Sequence, residues 1–161
     1  MAVMMEFTIR KAAFSDAEAI LEEGLELTKF LKIYDPQIYG FKENYAGIYR
    51  NLIRKIMRGK KSAAFVAVYE GKIIGHILLV EKRHFPIYQK DSEAFVEEMF
   101  VAKQFRNLGV GTKLLDAAKK WGKTRKLPFL GINVHTKNNK AFKLYRNLGF
   151  REHHFEMRMK L

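Results

Sequence analysis

The stretch Val101-Ala102-Lys103-Gln104-Phe105-Arg106-Asn107-Leu108-Gly109-Val110-Gly111-Thr112 carries the most chemical information in this 161-residue chain. Its residue order reads as the end of a strand, a turn, and the opening of a helix. Gly109 and Gly111 let the backbone approach a ligand closely and leave several N–H groups pointing outward. Those donors, added to the positive end of a helix, make an anion site suited above all to phosphate. Two nucleotide motifs are excluded. The dinucleotide fingerprint G-x-G-x-x-G needs a third glycine where Leu114 stands. The P-loop closes on Gly-Lys-Ser/Thr, whereas Gly111 is followed here by Thr112-Lys113.

Other chemistries are removed by composition. There is no cysteine, so disulfides, thiolate nucleophiles and an acyl-cysteine intermediate are all excluded. His76, His84, His135, His153 and His154 include no H-x-x-x-H pair, and no metal site is expected. No Ser-His-Asp arrangement can be picked out. The 30 basic and 17 acidic residues give a net charge of +13, which favours polyanions: nucleic acid, an anionic surface or a phosphate-rich cofactor. No apolar run approaches the ~18 residues of a membrane span. Met1 to Arg10 lacks the charged start and apolar core of a secretory leader, so no membrane partner and a cytoplasmic location are expected.

The elements that must position the turn follow from hydrophobic period. A single domain over residues 1–161 is expected. Phe7 to Lys11 reads as a strand. Ser15 to Glu18 reads as a capping box, followed by a helix with Ala17, Ile20, Leu21, Gly24, Leu27 and Leu31 inward. Asp35-Pro36 breaks that pattern. Tyr45, Ile48, Tyr49, Leu52, Ile53 and Ile56 mark a second helix that stops at Gly59. Ala63 to Tyr69 and Ile73 to Glu81 form a hairpin around Glu70-Gly71-Lys72, and Lys82 to Ser92 is a charged loop. Glu93 to Val101 is the strand that feeds the turn. The third helix, to about Arg125, carries Val110, Leu114, Ala117, Ala118 and Trp121 inward. Phe129 to Val134 is a short strand, and Ala141, Leu144, Tyr145 and Leu148 mark a helix ending at Gly149. His153 to Lys160 alternates as a last strand. The order implies an α/β layer structure on a mixed sheet.

Placed in that frame, Arg106-x-x-Gly109-x-Gly111 resembles the (Gln/Arg)-x-x-Gly-x-(Gly/Ala) signature of the GNAT N-acetyltransferase superfamily. Glu97-Glu98-Met99-Phe100-Val101 resembles that family's fourth strand. Asn138-x-x-Ala141-x-x-Leu144-Tyr145-x-x-x-Gly149-Phe150 resembles its late helix. The resemblance runs from about Ala63 to the C-terminus. One departure stands at Asn107, where the family usually has Gly; Asn tolerates a positive φ better than most residues. The resemblance implies a GNAT-like fold, with a mostly antiparallel central sheet flanked by about four helices.

It also implies a reaction: acetyl transfer from acetyl-CoA, as cosubstrate, to a primary amine in a ternary complex. Thr112 and the N–H groups of Leu108, Gly109, Val110 and Gly111 then take the pyrophosphate. Met99, Phe100 and Val101 lie along the pantetheine arm. Asn138 meets that arm from the other side, with Arg106, Asn107 and Ala141 also on the cofactor's path. Lys137, Lys140, Lys143 and Arg146 are candidates to flank the phosphorylated adenosine. Tyr145 is the expected acid for the departing thiolate.

An ammonium with a pKa near ~10.4 is no nucleophile, so a base is needed. Glu97 and Glu98 are the candidates. Strand alternation groups Glu97 with Phe95, Met99 and Val101, and Glu98 with Ala94, Val96 and Phe100. The resemblance to polyamine-acetylating members favours Glu97, while a strand bulge would reverse the parity. Phe30 to Tyr49, rich in aromatics, is the expected acceptor wall, with Asp35 or Glu43 attracting a cationic amine. The acceptor is a polyamine-like small amine or a protein or peptide amine. A homodimer is an assembly common in such a family. The competing reading is a non-catalytic acyl-CoA sensor or a basic nucleic-acid-binding protein, the latter not favoured.

Overall fold

The computed structural model describes residues 5–89 and 92–161. Strand β1 (Thr8–Lys11) leads through a 3₁₀ turn (Phe14–Asp16) into α1 (Ala17–Leu31). After a connector comes α2 (Tyr45–Arg58), then β2 (Ser62–Tyr69), β3 (Lys72–Arg83) and β4 (Ser92–Val101). A second 3₁₀ turn (Lys103–Phe105) leads to α3 (Val110–Thr124), β5 (Leu130–Ile132) and α4 (Asn139–Asn147). Of the expected loop between β3 and β4, Lys90 and Asp91 lie outside the described residues, as do Met1 to Met4 at the start of the chain.

The strands lie in sequence order, β1-β2-β3-β4-β5. The first four pair antiparallel and β5 joins β4 in parallel. Each central strand is apolar on both faces, as a sheet covered by helices requires. On one face Ile77 and Leu79 of β3, with Ala63 and Ala67 of β2, pack against Val110, Leu114, Leu115 and Ala118 of α3. On the other, Leu78 with Ala64 and Val66 packs against Ala17, Ile20 and Leu21 of α1 and Ile53 and Ile56 of α2. The alternation of β2 and β3 is thus read twice, once by each helical layer.

Three local expectations need correction. Ser15 does not cap α1, and the 3₁₀ turn that leads into it is held by Asp16. Its carboxylate accepts the Ala13 N–H at 2.7 Å and pairs with Arg10 at 2.6 Å. The ionised carboxylate accepts both bonds, which a hydroxyl cannot match. In α2 only half the apolar stripe is covered: Ile53 and Ile56 are buried, whereas Tyr45, Ile48 and Leu52 are about half exposed. The sheet lies under one flank of the helix only. Finally, residues 151–161 are irregular despite their alternation. A strand exists through backbone pairing, and none of the five strands takes this segment as a neighbour, so Phe155, Met157 and Met159 stand in solvent.

Asp16→Ala is expected to cost about 1–2 kcal/mol at pH 7, from loss of a cap and a partly exposed ion pair. The Arg10 hydrogen bond, opposed by burial, holds this carboxyl below its ordinary range. Its contribution is therefore present above the ordinary Asp pKa and lost as pH falls through the lowered value. Urea unfolding at pH 7 and near pH 2 should show the gap between variant and wild type narrowing in acid.

Candidate functional site

The glycine turn has the form its residues suggest. Beyond the 3₁₀ turn, Asn107 adopts φ 63° and Gly109 φ 82°. Asn107 thus takes the left-handed conformation that Asn tolerates. No side chain caps α3, so the N–H groups of its first turn lack intrahelical partners. A Cβ placed on Gly109 would meet no atom within 4 Å, so that glycine is required by backbone geometry and not by crowding. On Gly111 a Cβ would meet only Val101 at 3.8 Å and Met99 at 4.0 Å. The surface above the turn is therefore open, and it adjoins the end of β4. Arg106 is turned back: its Nε donates to the Val101 carbonyl at 2.8 Å, tying the turn to the strand.

β4 supplies the second half of the site. It pairs with β5 only over Ala94, Phe95 and Val96. From Glu97 to Val101 no described strand lies on that side, which leaves an open edge beside the glycine turn. On the other side, Leu79 pairs with Val96 and Leu78 with Glu98, so Glu97 is the extra residue of a bulge. The bulge reverses the parity expected from simple alternation. Ala94 and Val96 face α3, but Glu98 and Phe100 face α1 and α2. Met99 and Val101 take over the α3 face. The grouping of Glu98 with Ala94 and Val96 is thus overturned. Glu97 itself is exposed at the mouth where β4 and β5 separate.

Glu98 belongs to a buried polar network that the sequence does not announce. Its Oε1 lies 2.7 Å from His76 Nε2 and accepts a bond from the Tyr49 hydroxyl. His76 Nδ1 lies 2.6 Å from Glu23 Oε2. His76 is fully buried. Burial alone would lower its pKa, but hydrogen bonds to Glu23 and Glu98 outweigh it and push the imidazole up to about 9. Burial, with the charge of Glu98 beside it, drives the Tyr49 phenol up as well. Gly24 permits this closeness: a Cβ there would come within 2.6 Å of Glu98 Oε1 and closer still to the Tyr49 hydroxyl. The two carboxylates sit on opposite edges of the imidazole, so the three groups do not converge on one point as metal ligands must. The only signal in the sequence is a histidine inside the apolar run Ile73 to Val80, where a polar side chain needs partners.

α4 carries the remaining candidates. Asn138 is its N-cap, its side chain accepting the Ala141 N–H at 3.2 Å. Tyr145 is partly buried, packed against the α3-face core as Met99 and Val101 are. Its ring meets Phe150 edge-on at 5.7 Å. Burial pushes its phenol up to about 12, and its hydroxyl has no hydrogen-bond partner among the described residues. Tyr145 and the glycine turn therefore share one side of β4, and Glu98 occupies the other. Lys140, Lys143 and Arg146 are exposed.

Next to Glu98, Leu25, Thr28, Phe41, Tyr45 and Tyr49 line a hollow of about 130 Å³. The aromatic connector contributes Phe41, its ring tilted 32° against Tyr45 at 4.5 Å. Asp35 and Glu43 do not line it; Asp35 instead accepts the Ile38 N–H in a local turn.

A mixed sheet with helices on both faces, an uncapped helix start at a glycine turn and an open strand edge beside it define an α/β domain with two sets of unpaired backbone groups side by side. Residues 26–150 match the model of the Acetyltransferase (GNAT) family, and the chain belongs to that family. It is 28% identical over 115 residues to N-alpha-acetyltransferase 60 of Danio rerio, covering 62% of this chain and 48% of that protein. The chain thus spans about half the length of that relative. It is 26% identical to an N-alpha-acetyltransferase of Sulfurisphaera tokodaii, over 91% of this chain and 81% of that one. Among solved structures, a mutant of the BH1408 protein from Bacillus halodurans superposes with a TM-score of 0.84 at 23% identity, covering 96% and 99% of the two chains. Aminoglycoside N-acetyltransferase AAC(6')-Iy, in complex with CoA, superposes at 0.76 and 21% identity, covering 97% and 95%. These likenesses establish the GNAT fold. Among the described residues no helix is long and apolar enough to cross a membrane.

Proposed function

We propose that the protein is an N-acetyltransferase that moves an acetyl group from acetyl-CoA to a primary amine by direct transfer in a ternary complex, as a cytoplasmic enzyme. The observation that carries this reading is the uncapped start of α3 lying against the open edge of β4. The turn fits a diphosphate, since it has free N–H donors, no side chain above it and a positive helix end. Leu108 to Thr112 would hold that group, and the backbone of Met99 to Val101 would pair with the pantetheine amides as a strand does. Arg106 and Asn107 shape the turn, and Asn138 and Ala141 close the arm from α4.

A β4 backbone N–H polarises the thioester carbonyl. The amine's proton passes to a carboxylate of β4, Glu97 or Glu98. The amine nitrogen bonds to the acetyl carbon, the carbon–sulfur bond breaks, Tyr145 gives its hydroxyl proton to the departing thiolate, and the second proton that the nitrogen sheds on becoming an amide restores the phenol through water. The acceptor is a polyamine-like small amine or a protein or peptide amine. Relatives named N-alpha-acetyltransferase and aminoglycoside N(6')-acetyltransferase support an amine of either kind.

Calorimetry with acetyl-CoA, followed by thiol release against polyamines, a peptide with a free α-amine and an aminoglycoside, tests this. Binding with amine-dependent release is expected. Gly109→Val should weaken acetyl-CoA binding roughly tenfold, because a β-branched residue at φ 82° costs about 1–3 kcal/mol or reshapes the turn. Binding without release on any amine would point to an acyl-CoA sensor. No binding, with salt-sensitive retention on RNA, would point to a nucleic-acid protein.

A further inference from the structure

We propose that Glu98 takes the ammonium proton of the acceptor and passes it to His76, with Glu23 as the positioning residue that fixes the imidazole for that exchange. The assignment rests on the acetyl-transfer reading and selects between the two carboxylates of β4.

Three observations carry it. His76 is fully buried, with one carboxylate at each ring nitrogen, at 2.6 and 2.7 Å. Every element packed around it contributes a group: Glu23 from α1, the Tyr49 hydroxyl through Glu98 from α2, and Glu98 and the Phe100 ring from β4. Glu98 connects this cluster to the apolar hollow, because its carboxylate accepts from Tyr49 and Tyr49 lines that hollow. Glu98 also lies on the strand whose open edge adjoins the glycine turn. A purely structural buried histidine needs only enough partners to satisfy two nitrogens. Two carboxylates around one imidazole, one of them bonded to a tyrosine that lines a hollow, provide a place to store a proton.

In the reactive form the cluster lacks one proton: Glu98 is ionised and His76 is neutral, its Nδ1–H donating to Glu23. The acceptor's N–H bond breaks, and the proton moves to Glu98 and across the 2.7 Å contact to Nε2. The imidazolium so formed lies between two carboxylates. The Nδ1–H never moves, so the buried ring need not turn; Glu23 holds the tautomer as the third member of a catalytic triad does. After the product leaves, the proton returns to water through Glu98. At lower pH the imidazolium is already present, and the cluster has no vacancy for the acceptor's proton. Turnover should therefore climb with pH on a limb that belongs to the cluster as a whole.

The test uses the full chain and two acceptors of different basicity: an alkylamine with a pKa near ~10.4 and a peptide α-amine near ~8. The kcat limb is expected in the same alkaline window for both. Glu98→Gln should lower kcat about 10²–10⁴-fold at every pH while leaving the acetyl-CoA Kd unchanged. Glu23→Gln should lower kcat, because the amide no longer enforces the Nδ1–H tautomer, and move the remaining limb down by roughly one pH unit, because it removes a charge that stabilises the imidazolium. NMR titration of the His76 ring, which needs no turnover, should show the same downward move and decides the matter even if Glu98→Gln does not fold. A limb that follows the acceptor's own pKa, stays put in Glu23→Gln, or is lost in Glu97→Gln in place of Glu98→Gln overturns the proposal while leaving acetyl transfer standing. So does a His76 that titrates at its ordinary value. Absence of transfer to any amine overturns the acetyltransferase reading, and this assignment with it.

Discussion

Tyr145→Phe is expected to reduce kcat by about 10²–10⁴-fold, the range for losing a positioned acid, with acetyl-CoA affinity near that of wild type. The substitution removes one oxygen and keeps the ring, so the edge-on contact with Phe150 and the packing against the α3-face core survive. No described residue hydrogen-bonds to that hydroxyl, and folding should be almost unaffected. Burial holds the phenol protonated to about pH 12, so the proton is present throughout the working range. It is transferred only as negative charge develops on the departing sulfur beside it. The measurement is steady-state turnover on a verified acceptor alongside calorimetry with acetyl-CoA. Unchanged turnover would remove Tyr145 as the acid. A parallel fall in affinity and rate would make it a binding residue.

Tyr145, Gly109 and Asn107 are legible in the sequence because local rules govern them: helical spacing sets Tyr145 inward, and a positive φ explains Gly and Asn in the turn. The hairpin, α3 and the β4 exit follow from the same local chemistry. The misread parts are those governed by distant partners. Ser15 and Asp16 are both acceptable helix starters, and Arg10 on β1 decides in favour of Asp16. The alternation of residues 153–160 is a strand pattern with no edge to join. The bulge at Glu97 is set by the pairing of β3 with β4, and it reassigns every side chain after it. Glu23, His76 and Glu98 are separated in sequence by 53 and 22 residues, so no motif could join them. A lone histidine in an apolar strand states only that something polar faces it.

The same network should leave a signature in folding itself. Wild-type stability is expected to fall by about 3 kcal/mol between pH 6.5 and the alkaline side of pH 9. The imidazole of His76 is raised from its ordinary 6.5 to about 9 in the folded chain. A raised folded pKa means that folding favours the protonated form. Its contribution is therefore complete below the unfolded value and disappears as pH rises through the folded one. Against a typical domain stability of about 5–15 kcal/mol, that loss is large. Its direction is opposite to that of Asp16, whose contribution fades in acid, so the two effects separate on one pH axis. Urea unfolding at pH 6, 7.5 and 9 measures it. In His76→Gln the amide can still meet Glu98 or Glu23 but cannot carry the charge, so the variant should be less stable at pH 6 and nearly level from there to pH 9. If the two proteins lose stability in parallel over that interval, His76 is not an imidazolium in the folded state, and the carboxylates around it do not act as a proton store.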